Sequence, residues 1–179
     1  MGIPTLISTN ADSSDIASIE FTSGIDSTYD EYMFVLTDWN ATNSGEDLRV
    51  TASTNGGTSY GVTATSTFWR SIHTEDAASA DVAYNIYLDL AQSTGTQALT
   101  QDLSTDADAA VSGIFTLYSP SSTTYVKHYL SRVGGNLDGA AAYDFFVGGY
   151  WNTTSAINAI KFHMNAGNFD GTVQMYGIA

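Results

Sequence analysis

The chain contains no cysteine, so it has no disulfide framework, no thiolate zinc site and no thiol nucleophile. Proline is nearly absent as well: Pro4 and Pro120 are the only two, and both fall outside the segments that read as strands. Positive charge is scarce. Five basic residues (Arg49, Arg70, Lys127, Arg132 and Lys161) stand against 19 acidic ones, a formal net charge of −14 with a pI near 4.1. Nucleic-acid binding is driven by Lys and Arg displacing counterions from phosphates, and no basic cluster is present to do it. The same shortage argues against an anionic membrane surface. No apolar run approaches the length of a membrane span. The start, Met1-Gly2-Ile3-Pro4-Thr5-Leu6-Ile7, lacks the positive n-region of a signal peptide, and Leu6 breaks the myristoylation pattern. The expectation is a soluble chain, without membrane insertion, for which any exit from its cell would be by assembly or lysis.

What the chain does have is aromatic and β-forming residues. Eight Phe, 11 Tyr and three Trp in 179 residues supply enough apolar surface to offset chain entropy in one domain. Short runs of Val, Ile, Thr, Phe and Tyr alternate with clusters of Gly, Asn, Asp and Ser, the composition of strands and turns. Period-two alternation appears at Ala17/Ile19/Phe21, Tyr32/Phe34/Leu36, Leu48/Val50/Ala52, Phe68/Ile72 and Val82/Tyr84/Ile86/Leu88/Leu90. It continues at Val111/Phe115/Leu117, Tyr125/Lys127/Tyr129, Phe145/Val147/Trp151, Ile160/Phe162/Met164 and Val173/Met175. Turn chemistry lies at Asn55-Gly56-Gly57, Gly134-Gly135-Asn136, Asp138-Gly139 and Asp170-Gly171. Ile160 to Ile178 reads as a hairpin looping through Ala166–Gly171. Many antiparallel strands without helices predict an all-β fold, an antiparallel β-sandwich of nine or ten strands, jelly-roll-like. Residues 1–14 read as an arm or edge segment and 15–179 as a single sandwich domain.

Candidate sites are sparse. His73-Thr74-Glu75-Asp76 sets an imidazole beside two carboxylates, but His128 and His163 lie in other strands with no zinc-motif spacing. Asp106/Asp108 and Asp12/Asp15 have the D-x-D or similar spacing of a calcium loop without its glycine and distal glutamate. There is no G-x-S-x-G, and the glycine pairs lack a following G-K-[ST]. The chain is therefore expected to be non-enzymatic, with no cofactor and no metal. Aromatics near turns are the stronger candidates: Trp39, Trp69, Tyr150 and Trp151, with Tyr60 and Tyr143, could stack on sugar rings or on a protein partner.

Four segments resemble a family of structural proteins from phages of marine bacteria: Ile19–Tyr32 (IEFTSGIDSTYDEY), Pro120–His128 (PSSTTYVKH), Gly149–Ile160 (GYWNTTSAINAI) and Gly167–Gly177 (GNFDGTVQMYG). The resemblance implies a virion location on the particle exterior, as a capsid decoration (cement) protein or a fibre subunit. It implies no catalytic residues. The expected partners are copies of the chain itself, as a homo-oligomer with a trimer as the working guess, and the major capsid protein or other virion proteins. The alternative expectation is a carbohydrate-binding tail-fibre or adhesin module that recognises a host-surface glycan. A glycan depolymerase would require two carboxylates facing across a groove.

Overall fold

The computed structural model describes residues 2–137 and 140–179, and for 11–14 the backbone alone. The expected Asp138-Gly139 turn and the Asp12 carboxylate lie outside the described residues. Twelve strands are present: β1 (Thr5–Ile16), β2 (Ser18–Phe21), β3 (Glu31–Ala41), β4 (Leu48–Ser53), β5 (Ala64–Thr74), β6 (Ala80–Tyr84), β7 (Gln97–Ala98), β8 (Val111–Tyr118), β9 (Lys127–Asn136), β10 (Ala141–Trp151), β11 (Ala159–Met164) and β12 (Phe169–Ile178). They form two sheets, an eight-stranded one in the order β1-β12-β3-β8-β9-β10-β5-β6 and a four-stranded one in the order β2-β11-β4-β7. Every described pairing between these strands is antiparallel. The fold is an antiparallel β-sandwich, as the alternation predicts. Its sheets are unequal, eight strands against four, and this order does not by itself establish the jelly-roll form of a sandwich.

Ten of the strands coincide with the ten alternating runs. The other two, β1 and β7, are short of large apolar residues. Thr5–Ile16 is an edge strand paired to β12, with register shifts after Leu6 and after Asp12. The Val82–Leu90 run is only half a strand. It stops at Tyr84 because the Asn85 side chain accepts the Tyr87 N–H at 2.9 Å, the geometry of an Asx turn, which bends the backbone out of the ladder. Ile160–Ile178 is not a hairpin: β11 pairs with β2 and β4, whereas β12 pairs with β1 and β3 in the other sheet. The chain crosses the sandwich in the short connection between Met164 and Phe169.

Inward positions follow the pleat. Tyr32, Phe34 and Leu36 of β3, Val50 and Leu48 of β4, Ile160 and Phe162 of β11, and Val173 and Met175 of β12 are all buried. Aromatic rings dominate the middle. Phe115 stands 5.6–6.0 Å, centroid to centroid, from Phe34, Tyr129, Trp151 and Phe162, within the range where tilted ring pairs add to their area burial. Phe162 belongs to the small sheet and reaches across to Phe34 at 5.5 Å and Trp39 at 6.4 Å.

The inward set of β9 includes a lysine. Lys127 has no accessible surface, and its Nζ donates to the carbonyls of Tyr125 at 2.8 Å and Thr153 at 3.3 Å. Burial pushes its amine pKa down, because the charged form is the one that loses hydration.

Between β6 and β8 the chain forms a strap that closes one side of the sandwich. It bonds the large sheet at Ser66 N–H to Leu90 O (2.9 Å) and Ala64 N–H to Ser93 O (2.8 Å). It bonds the small sheet's strand β4 at Leu99 N–H to Leu48 O (2.7 Å). Buried Gln97 anchors it, donating to the Leu88 and Ala98 carbonyls at 3.1 and 2.7 Å and accepting from Tyr129 at 3.4 Å. A buried amide satisfied this way is a specific tie that a hydrophobic residue cannot replace.

Adjacent positions on β8 point to opposite faces, so they should respond differently to truncation. Phe115→Ala is expected to destabilise by about 3–5 kcal/mol through the cavity it leaves. Ile114→Ala, on the outer face, should cost about 1 kcal/mol or less. Urea unfolding of the two variants checks the contrast.

Candidate functional site

The outer face of the large sheet carries the apolar side chains that the core does not use. The register places Val35 of β3 beside Ile114 of β8, Ile114 beside Arg132 of β9, and Arg132 beside Phe146 of β10. Phe146 then faces Trp69 of β5, and Trp69 faces Tyr84 of β6. All six side chains share one face because each is an odd step from its inward neighbours, and together they form a ridge running across the strands for about 24 Å, five steps of about 4.8 Å. Trp69 is 39% exposed, Ile114 43% and Tyr84 51%.

The ridge is ordered by its own contacts. Trp69 and Phe146 stack with centroids 4.3 Å apart and planes inclined by 9°. The Arg132 guanidinium lies 4.9 Å from the Phe146 ring centre, a cation–π arrangement. Arg132 is in turn paired to Asp144, with Nε at 3.0 and 3.1 Å and Nη2 at 2.6 Å. Tyr84 donates its hydroxyl to Asp89 at 2.6 Å, and that bond raises its pKa. The only charge within the row, Arg132, is thus matched on the same face of a chain that is otherwise strongly acidic.

Two glycines shape the flanks. Gly148 floors an open depression of about 430 Å³ bounded by Leu130, Thr116 and Tyr118 on one side and by Trp69, Phe146 and Arg132 on the other. Gly134 floors a second, of about 450 Å³, beside Ser112, Asp144 and Ile114. The surface is therefore a ridge between two troughs. Apolar exposure continues past Tyr84 to Val82, Ile86 and Tyr87, each at least 66% exposed, so the patch extends to the β6 edge. Contiguous apolar surface of this extent marks docking or ligand-binding faces.

The residues expected at a contact surface are divided by the fold. Trp69 stands on the ridge. Tyr150 is half-buried on the same outer face, between Thr65 and His128. Trp39 and Trp151 are not at the surface: both are core residues, 1% and 2% exposed. Trp39 is turned inward by a bulge: the β3–β8 register shifts between Leu36 and Trp39, and Asp38 adopts a φ of 52°. The extra residue reverses the parity of the strand. Its ring then stacks on Phe169 at 3.8 Å, and its Nε1 donates to Thr172 O at 3.3 Å. Trp151 keeps the inward parity of Phe145 and Val147 to the end of β10 and packs on Tyr129 at 4.5 Å. Tyr60 donates to Glu20 Oε2 at 3.0 Å on the small sheet, and Tyr143 packs on Phe145 at 5.9 Å.

Phe146, Arg132 and Tyr84 complete the ridge but escape a composition-based reading. One signal was present: Phe145 and Phe146 are consecutive in a strand, so one of them must face outward.

The histidines do not converge. His73 and His128 share the outer face, but their registers are eight residues apart along β5, roughly 26 Å. His163 lies on the other sheet. Among the described residues no group of three or more His, Asp or Glu is placed to hold a metal. Asp106 is instead engaged in a turn, its N–H donating to Ser104 at 3.0 Å, and Asp15 is bonded to Asn168 and Asp170.

His163 has a structural role. Its Nδ1–H donates to the Met164 carbonyl at 2.6 Å. Burial, opposed by that bond and reinforced by Lys161 and Arg49 against the weaker pull of Glu20, holds its pKa below the ordinary 6.5. The unfolded chain then binds more protons than the folded one below that value, so stability falls as pH drops through 6.5 toward the folded pKa. His163→Gln should flatten the decline between about pH 6.5 and 5, a window above ordinary carboxylate titration. Denaturant midpoints measured across that range test it. The placement of the indoles makes a second prediction: Trp69 should account for most of the acrylamide-quenchable tryptophan fluorescence, and Trp69→Phe should leave an emission that acrylamide scarcely reduces. No protein-family model, no curated protein and no solved structure matches this chain.

Proposed function

We propose that this protein is a non-enzymatic structural component of the exterior of a bacteriophage particle, a capsid decoration (cement) protein or a fibre subunit. In this reading it docks through the ridge of the large sheet. The observation that carries the proposal is the ordered, charge-balanced apolar ridge from Val35 to Tyr84, continued by Val82, Ile86 and Tyr87. Aromatic residues and arginine are the types enriched in protein interfaces. An acidic chain associates most readily where its own charge is already neutralised. The likeness of four segments to marine phage structural proteins supplies the particle, with the major capsid protein, other virion proteins or copies of the chain as partners. A homo-oligomer, with a trimer as the working stoichiometry, follows from the same likeness. A cement protein binds only the assembled lattice and stabilises it by mass action, with multiple copies adding avidity.

A second reading is carried by the open Trp69–Phe146 stack. A flat aromatic platform beside the hydrogen-bonding Arg132–Asp144 pair suits the apolar face and hydroxyls of a sugar, as in a fibre module that recognises a host glycan.

Substitutions on the ridge test both readings. The wild-type chain is expected to bind expanded capsids at micromolar concentration, and Trp69→Ala combined with Tyr84→Ala to weaken binding by tenfold or more, about 1.4 kcal/mol, while unfolding at nearly the same temperature. Absence of wild-type capsid binding removes the cement role. Glycan-array binding that Trp69→Ala abolishes would establish the adhesin role instead.

A further inference from the structure

The inward positions of β5 run Phe68, Arg70, Ile72, and a guanidinium therefore enters the sandwich where apolar residues precede and follow it. Here the interior is lined by the strap and by the end of β9 and the start of β10. Arg70, Gln101, Asp102, Leu137 and Tyr143 enclose a cleft of about 220 Å³, room for roughly seven waters at about 30 Å³ each. It is more enclosed than either trough of the outer face.

Arg70 is incompletely satisfied in this cleft. Its Nη1 is shut off from solvent and has no hydrogen-bond partner, and Arg70 takes part in none of the ion pairs among the described residues. Its guanidinium carbon lies 5.9 Å from the centre of the Tyr143 ring. A buried donor left unpaired costs free energy, and an acceptor entering the cleft would relieve that cost by drawing the side chain toward it. Asp102, an exposed residue, lines the same cleft and is held in place by its own backbone. Its φ is 52°, its N–H donates to Asp47 Oδ1 at 3.1 Å, and its Oδ2 accepts from Gln101 at 3.0 Å. Gln101 is fixed in turn by Asn85 at 3.2 Å.

We propose that this cleft binds one neutral, polyhydroxylated ring, a single sugar residue at the end of a glycan. Neighbouring hydroxyls can accept from Arg70 and donate to Asp102, while the apolar face of the ring lies against Tyr143 and Leu137. The presence of both charges in one cleft selects against simple anions, because Asp102 repels the phosphate or sulfate that Arg70 would attract, and the net charge of −14 adds to that repulsion. An enclosed cleft of this size takes a chain end rather than the middle of a polymer. The site is separate from the ridge, and it rests on the glycan reading for its biological role but not for the binding itself.

Amide NMR of the full chain, titrated separately with glucose, galactose and mannose, and with sulfate and glucuronate as charged comparators, tests the proposal. At least one hexose is expected to shift the amides of Gln101, Asp102 and Leu137 saturably with a millimolar Kd. Arg70→Met and Asp102→Asn should each weaken that binding about tenfold or more. The second variant tolerates the left-handed backbone at that position, so it decides the matter if Arg70→Met fails to fold. Three outcomes overturn the proposal. If no hexose gives a saturable shift, the cleft is not a sugar site. Tighter binding of sulfate or glucuronate makes it an anion site. Shifts confined to Trp69, Phe146 and Tyr84 keep the glycan reading on the ridge and remove it from the cleft.

Discussion

The insertion of Phe162 from the small sheet into the aromatic nest of the large one is the contact on which the sandwich depends. Phe34, Phe115 and Trp39 meet it from two neighbouring strands, and Phe115 passes the packing on to Tyr129 and Trp151. The sequence has no cysteine, so no disulfide joins the two layers; this interdigitation does, and the pleat of β3, β8 and β11, with the bulge that turns Trp39 inward, is what aims the rings at one another. Phe21 adds to it from the edge of the small sheet, 5.3 Å from Phe34.

A layer of four strands cannot cover a layer of eight. The consequence is visible on both faces of the wide sheet. Inside, the strap takes over where the small sheet ends, tied down by Gln97 and by backbone bonds to β4 and β5, and it admits a charged side chain, Arg70, into the space it encloses. Outside, nothing among the described residues packs over β8, β9, β10, β5 and β6, so aromatic residues there must order themselves. They do so by stacking and by the Arg132–Asp144 pair, which holds the guanidinium flat over Phe146. One mismatch of width thus produces a recessed cleft and an open ridge.

Most of the strand content is legible in the sequence because inward and outward residues alternate wherever one face is buried. The parts that escape are those where a local interaction overrides the period. Asn85 ends an apparently unbroken strand with a side-chain bond to the backbone. A single extra residue near Asp38 sends Trp39 into the core. β1 pairs over nearly its whole length yet eight of its twelve residues are Thr, Ser, Asn or Asp, since an edge strand needs only one partner and buries little beyond Ile7 and Ile16. Partner choice is less legible still. Ile160–Ile178 has the pattern of a hairpin, and nothing local in it specifies that its two halves enter different sheets. The ridge belongs to the same class: Trp69 is conspicuous alone, but its alignment with Phe146, Arg132 and Ile114 exists only once four strands are in register.

The position of β12 between β1 and β3 constrains how the molecule comes into being. The two strands nearest the N-terminal end of the large sheet cannot be joined until residues 169–178 are available to lie between them, and β2 likewise waits for β11. Only the β8–β9–β10 meander and the β5–β6 hairpin pair locally. Such a chain has a high contact order, the property that goes with slow folding, and its early strands hold unpaired backbone until residues 169–178 have been made. The polar composition and bulges of β1 then acquire a meaning apart from the finished structure, as protection of a strand that must wait for its neighbour without pairing to anything else.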